Sequence, residues 1–331
     1  MITKIFDCSN GPGRPPHRGM GGPIENDIMR YLKKYSNHFD CQFVETLKDA
    51  NVAITNDVFT KEVAKSNIPK IKRMDGIYWQ KKFIERNEPL NSAAFMADHV
   101  IFISNYSKNQ FYDLYGFPLK AHSVVLNVAD PREYYPGKPA KKVKSYFGIA
   151  ATNWTREEKR FRTLNLFSDL IFSMLPTSWI LCLGKMPINR EFPPNLSFRG
   201  IYNSPEEFRN LLFLDDQDWK AQGFLNFSYR DAAPKVVAQA LSCGLPVLYA
   251  DNGGVKEMVR DCGIGFNESS PDKFFQECCP HTTCNINILF EAIHNFINRF
   301  EELSFNISVR KFNEEFDDML RGYFDIIKKY A

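Results

Sequence analysis

Within residues 224–254 a carboxylate and an amide, Asp231 and Gln239, stand on either side of seven residues. Both side chains offer pairs of oxygen or nitrogen groups suited to neighbouring hydroxyls of a sugar or a ribose. Between them the chain turns from the aromatic strand ending near Ser228 into a helix with Pro234 near its first turn. A helix N-terminus presents unpaired backbone N–H groups and a partial positive charge, so the loop through Ser228, Ala233, Lys235 and Val236 can hold a diphosphate. The helix stops at Gly244, an apolar strand follows, and Gly253-Gly254 then lets backbone approach a ligand that any side chain would block. Taken singly, Asp231 also fits a helix cap, Gln239 a solvated helical face and the glycine pair an ordinary turn. The ordered set at this spacing is what points to a ligand.

These residues closely resemble the donor-binding core of retaining GT-B glycosyltransferases of the glycosyl transferases group 1 family. The family's usual form is an acidic residue, seven residues, Glu-Ala, then Gly-x-Pro-Val and Gly-Gly. Here the pattern reads Asp231, seven residues, Gln239-Ala240, then Gly244-Leu245-Pro246-Val247 and Gly253-Gly254. Both usual glutamates are replaced; the first position keeps its charge and the second becomes an amide. The resemblance implies that Asp231 meets the donor sugar and that Gln239 lies near the nucleotide ribose.

A second stretch, Thr152-Asn-Trp-Thr-Arg156-Glu-Glu-Lys159-Arg160-Phe161, resembles the family's basic loop. There an arginine and a lysine contact the donor diphosphate. Departure of a nucleoside diphosphate builds negative charge on phosphate oxygens, and fixed cations stabilise it. Lys159 is the closer match; Arg156 and Arg160 compete for the second position, and a solvated basic helix start is the plainer alternative.

The N-terminal half is consistent with the same architecture. A first strand leads into a Gly-rich turn containing His17, Gly21 and Gly22, followed by a helical pattern through Leu32. The turn lacks the spacing of the dinucleotide fingerprint, so NAD is not expected. Apolar runs at 51–55, 68–76 and 97–104 read as parallel strands covered on both faces, the last followed by a helix through Tyr112. The blocks 97–104 and 127–136 resemble the family's closing landmarks for its first domain, and the resemblance extends over nearly the whole chain. Gly21, Gly22, His17 and Asp75 are assigned to the first-domain side of the cleft. His17 also fits a contact to acceptor hydroxyls, Asp75-Gly76 an ordinary turn, and Arg73 is placed to neutralise Asp75.

The implied fold is α/β of the GT-B type, with two Rossmann-like doubly wound domains facing a central cleft. Residues 1–140 form the acceptor-side domain, 141–305 a smaller donor-binding domain, and 306–331 a C-terminal helix crossing back to the first. A basic, Pro-containing linker at 138–144 marks the boundary. Phe312, Phe316, Met319, Tyr323 and Ile327 follow helical spacing in the last segment.

Composition agrees with a two-domain enzyme. The 331 residues carry 44% hydrophobic and 24% charged side chains, ordinary for a globular chain. A net charge of +3 is too small for nucleic-acid binding as a main task. No stretch reaches the roughly 20 apolar residues of a membrane span, and the first strand is not a signal peptide, so the expected location is the cytoplasm, with at most peripheral membrane contact. The eight cysteines read as reduced core residues. Cys278-Cys279-Pro280-His281 with Cys284 is too compressed for a usual zinc knuckle and reads as a helix-ending loop. Asp216-Gln217-Asp218 formally makes a metal-binding Asp-x-Asp, but its context reads as an acidic surface turn.

The expected activity is transfer of a sugar from a UDP- or GDP-linked donor to a hydroxyl of a glycan, glycoconjugate or lipid-linked acceptor. The resemblance implies retention of anomeric configuration, with no metal and no cofactor beyond the donor. Catalysis is assigned to Lys159, Arg156, Asp231, Asp75 and His17. Donor binding is assigned to Gly21, Gly22, Arg160, Ser228, Ala233, Lys235, Val236, Gln239, Gly253 and Gly254. A catalytically inactive sugar-nucleotide-binding subunit and a nucleotide-sugar epimerase of the same architecture are the alternatives.

Overall fold

The computed structural model describes residues 2–10, 27–116, 118–137, 146–186, 192–213, 221–267 and 284–331. The first half comprises β1 (Thr3–Asp7), α1 (Asp27–Tyr35), β2 (Cys41–Val44), β3 (Val52–Thr55), α2 (Lys61–Lys65), β4 (Lys70–Met74), α3 (Asn87–Met96), β5 (His99–Phe102), α4 (Asn105–Tyr115) and β6 (His122–Val124). Its strands pair in parallel in the order β2-β1-β3-β4-β5-β6. Strands β3, β4 and β5 are buried along their whole length, because helices cover both faces. Ile5, Val52, Ile54, Ile71 and Ile101 face one apolar cluster; Ala53, Met74, Val100 and Phe102 face another. Local signals fix α4: Ser104 and Ser107 form a reciprocal capping box, and Gly116 ends the helix at φ 59°.

The second half comprises β7 (Tyr146–Asn153), α5 (Phe161–Met174), β8 (Trp179–Lys185), β9 (Leu196–Gly200), α6 (Pro205–Phe213), β10 (Ala221–Asn226), α7 (Lys235–Ser242), β11 (Val247–Ala250), α8 (Val255–Val259), β12 (Gly263–Phe266) and α9 (Ile286–Asn298). These strands are also parallel, in the order β12-β11-β10-β7-β8-β9. Clusters built on α6, α7 and α8 cover one face and on α5 and α9 the other. The sequence pattern predicts a smaller second sheet, yet among the described residues both sheets have six strands. The short edge strand β12, Gly-Ile-Gly-Phe, carries two glycines and too little apolar periodicity to register as a strand.

Two helices, α10 (Phe300–Val309) and α11 (Phe312–Tyr330), close the chain. Phe316, Met319, Leu320, Tyr323, Phe324 and Ile327 form one buried stripe of α11, at the 3–4-residue spacing of a helix face. The stripe lies on the first sheet beside α1: Phe324 stacks on Phe39 at 4.5 Å, and Phe316 meets Tyr31 edge-on at 5.2 Å. Each such buried side chain contributes roughly 1.5–3 kcal/mol of transfer free energy. The described cysteines are buried and free of disulfides, and none of the described helices is long and apolar enough to cross a membrane.

Candidate active site

In an open parallel sheet, crossovers leave adjacent strands in opposite directions at one point, and a crevice opens there beyond the carboxyl ends. In the second sheet that point lies between β7 and β10. After β7, Trp154 is buried and its indole N–H donates to the Leu183 carbonyl at 3.1 Å. Asn153 Oδ1 accepts from Thr155 N at 2.9 Å and Thr155 Oγ1 at 2.7 Å. A single 3-10 turn, Glu157–Lys159, then ends at Arg160 in the left-handed region (φ 53°). This reversal sends Arg160 inward, 1% exposed, and leaves Lys159 at the crevice.

Lys159 Nζ donates to Ser228 Oγ and to Asp231 Oδ2, at 3.2 Å each. The loop after β10 thus comes to it ready-made, because backbone bonds fix its path. Tyr229 N donates to Glu158 O at 2.8 Å, Arg230 N to Asn252 Oδ1 at 2.9 Å, and Gly254 N to Asp231 O at 2.9 Å. Arg156 is paired with Glu158.

The opposite wall comes from β3 and β4 of the first sheet. Arg73 is fully buried; its Nε donates to Tyr323 Oη of α11 and its Nη2 to Asn127 Oδ1, each at 2.9 Å, while Nη1 pairs with Asp75. Asp75 itself stays about half exposed, aimed from a buried anchor toward the opening. Lys72, fully buried beside it, is pushed down to about 8 by loss of solvation. Trp79 meets Tyr229 of the second half of the chain edge-on at 5.0 Å. A cleft of about 490 Å³ lies between these walls, lined among others by Asp57, Lys72, Asp75, Trp79, Arg156, Lys159 and Asp231.

Of the residues assigned from sequence, Arg156, Lys159, Asp231 and Asp75 therefore share one cleft, with Ser228 just behind Lys159. Others do not reach it. Gln239 is 3% exposed: its Oε1 accepts from Tyr202 Oη at 3.1 Å and its Nε2 donates to Tyr134 Oη at 2.9 Å. Where a ribose contact is expected, the amide instead bridges two tyrosines, one from each half of the chain. At Gly253 and Gly254 neighbouring backbone fills the space a side chain would take. A Cβ on Gly254 would fall 1.7 Å from Ala232 O, and one on Gly253 2.4 Å from Asp231 O. Arg160 is buried away from the cleft, and Ala233 is buried with its carbonyl accepting from Asn127 Nδ2 at 3.0 Å. Lys235 and Val236 are half-buried at the start of α7. His17, Gly21, Gly22, Asp216, Asp218, Cys278, Cys279, His281 and the linker at 138–144 lie outside the described residues; Cys284 is buried, its backbone N–H bonded to Thr163 Oγ1.

Sequence reading passed over Lys72, Asp57, Trp79 and Tyr229. For Lys72 a signal existed: a basic pair, Lys72-Arg73, stands near the carboxyl end of a central strand, next to the Asp75-Gly76 turn.

No protein-family model matches the chain, and no curated protein matches it in sequence. Solved structures do resemble it over their full length. WaaG, a glycosyltransferase involved in lipopolysaccharide biosynthesis, superposes with a TM-score of 0.66 at 12% identity, covering 98% of this chain and 99% of its own. A glycosyltransferase from Rickettsia africae gives 0.67 at 11% identity, covering 99% and 98%. HepE from Anabaena, solved in complex with UDP-glucose, gives 0.61 at 13% identity, covering 99% of both chains. At these identities the likeness speaks to architecture, and with two helix-covered parallel sheets facing one cleft, the chain has the GT-B fold.

Proposed function

We propose that this chain is a glycosyltransferase that moves a sugar from a UDP- or GDP-linked donor to a hydroxyl of a glycan, glycoconjugate or lipid-linked acceptor. In this reading the anomeric configuration is retained and no metal takes part. One observation carries it: Lys159 Nζ stands between Ser228 and Asp231 at the switch point of the second sheet, facing Asp75 across the cleft. Solved neighbours of the same architecture carry UDP-glucose, or UDP with a sugar, which favours a UDP-linked donor.

As the anomeric carbon–oxygen bond breaks, the electron pair passes to a phosphate oxygen. Lys159, with Arg156 at the cleft edge, stabilises that growing charge, the task given to a metal in other transferases. The acceptor oxygen forms its new bond on the same face, and its proton passes to the departing phosphate oxygen, so no protein nucleophile is required. Asp231 offers Oδ1 to donor-sugar hydroxyls while Oδ2 is held by Lys159. The amide at Gln239 no longer favours an inactive subunit, because it serves a buried tyrosine bridge and does not line the cleft. The setting we infer is the cytoplasm, with peripheral membrane contact when the acceptor is lipid-linked.

The test is a panel of UDP- and GDP-sugars followed by nucleoside diphosphate release, with and without sugar acceptors, and NMR of the product's anomeric proton. Release that requires acceptor and gives the donor's own anomer is the expected result. Binding without release would leave a sugar-nucleotide-binding protein, and an inverted product would remove the same-face mechanism.

A further inference from the structure

Lys72 is a charged side chain with no exposed surface, on the cleft wall opposite Lys159. An ammonium has three N–H donors. Lys72 Nζ uses one, to the Arg73 carbonyl at 2.6 Å, and forms no ion pair among the described residues. The nearest charges do not complete it. Asp75 is engaged by Arg73, and Asp57 and Asp75 only partly offset the loss of solvation. A buried cation without a close counter-charge is costly, and a buried group of that kind in a cleft marks a candidate functional site. Around it the cleft offers the lining of a sugar site: Tyr78 and Trp79 as ring surfaces, Gln80 and Gln110 as amide donors and acceptors.

Resting on the glycosyltransferase reading, we propose that the acceptor is an acidic or phosphorylated sugar whose anionic group binds Lys72, across the cleft from the donor diphosphate. Geometry separates the two anion positions. Lys159 and Arg156 lie on the turn after β7 of the second sheet, whereas Lys72 lies on β4 of the first, so one phosphate group has no need of both walls. The proton on Lys72 is retained when the anion arrives, because an incoming negative charge favours the ammonium form.

The experiment uses the full chain saturated with UDP, and adds D-glucuronate, glucose 6-phosphate or the neutral methyl α-D-glucoside as probes. Affinities are read by calorimetry. Both anionic sugars should bind at least tenfold more tightly than the neutral one, and Lys72→Met should bring all three to the same level while leaving UDP affinity within twofold. Lys72→Gln serves as a second uncharged variant should the first fail to fold, and the shift of the Lys72 Cε resonance on adding glucuronate reads the contact in the unaltered protein. Equal binding of neutral and anionic sugars, or preference retained in Lys72→Met, would overturn the proposal. Loss of UDP affinity in Lys72→Met would overturn it too, by placing the lysine on the donor diphosphate. Failure of the unaltered protein to bind any nucleotide would instead sink the glycosyltransferase reading, while the probe preference would still report on Lys72.

Discussion

Replacing Gln239 by glutamate tests whether this position belongs to the nucleotide site or to the frame around it. If the side chain met a ribose, a carboxylate would strengthen the contact, since charged acceptors form the stronger hydrogen bonds. The structure argues the reverse. The amide is 3% exposed and uses both of its ends, accepting from Tyr202 Oη at 3.1 Å and donating to Tyr134 Oη at 2.9 Å. Glutamate keeps the first bond and loses the second donor, so Tyr134 must turn its own hydroxyl hydrogen toward position 239. It also buries a charge in the cluster that holds Tyr134, Phe208 and Leu241.

The lost bond is worth about 1 kcal/mol, and the burial of an ionised carboxyl adds at least about as much again. We therefore expect Gln239→Glu to be less stable by roughly 2–4 kcal/mol at pH 8. Burial raises the carboxyl pKa in the folded state above that in the unfolded chain. The folded state then binds more protons through that window, so the deficit grows as pH rises above about 4.3, the ordinary glutamate value. Gln239→Leu, which removes both bonds without adding charge, should lose roughly 1–3 kcal/mol with no such pH dependence. Urea unfolding of the three proteins at pH 5 and pH 8 measures this, beside UDP affinity at each pH. A glutamate variant as stable as the original at pH 8, binding UDP more tightly, would refute the tyrosine-bridge account and return position 239 to the ribose.

Lys159→Ala should lower turnover by on the order of a hundredfold in a folded protein, because its ammonium is the cation fixed nearest Asp231; unchanged turnover would leave this turn a surface feature. Activity should survive EDTA, and abolition reversed by magnesium or manganese would move the phosphate charge to Asp216 and Asp218. Asp231→Asn should weaken binding of an intact nucleotide-sugar far more than binding of the free diphosphate, and equal losses would reduce Asp231 to a loop-fixing role. His99, buried with its ring between Tyr330 Oη (3.3 Å) and Ser123 Oγ (3.0 Å), is pushed down to about 4 by burial and by the charges of Lys329 and His122. The unfolded chain takes up this proton near 6.5 and the folded one only near 4, so stability falls as pH drops through that interval, by on the order of 3 kcal/mol; His99→Asn should flatten this part of the profile in thermal unfolding.

The central strands and the turn from β10 into α7 are legible in the sequence because each rests on a local cause. Runs such as residues 100–103 are apolar since both faces are covered, and Pro234 and Gly244 bracket a helix by their own backbone limits. The meeting of Lys159 with Asp231 follows from topology, being the two carboxyl ends at one switch point. What sequence does not reveal is which polar groups the packing consumes. Gln239 and Gly254 look alike in either role until Tyr134 and Tyr202 take the two ends of the amide and the Ala232 carbonyl fills the Cβ position of the glycine. The two tyrosines lie 37 and 105 residues from Gln239, beyond any local pattern.

Such long-range bonds also explain how two separately wound sheets can present a single cleft. Asp130, fully buried, is held below the usual carboxylate range: burial opposes ionisation, but hydrogen bonds from Arg132 and Tyr35 outweigh it. With Glu133 bonded to Arg30 at 2.8 Å, this ties the segment after β6 to α1. Four residues past Asp130, Tyr134 enters the core of the second half and meets Gln239. Asn127 Nδ2 reaches Ala233 O, and Glu257 of α8 accepts from the backbone N–H groups of Asn105 and Tyr106 at 2.8 and 2.7 Å, where α4 has unpaired donors. Each bond spans the two halves, and Asn127 also fixes Arg73, the anchor of Asp75. A single amide thus sets the distance between the carboxylate of one wall and the start of α7 behind the other. Loosening it should disturb the alignment of the two walls before it disturbs either sheet, and reactions that depend on held geometry lose rate under such misalignment.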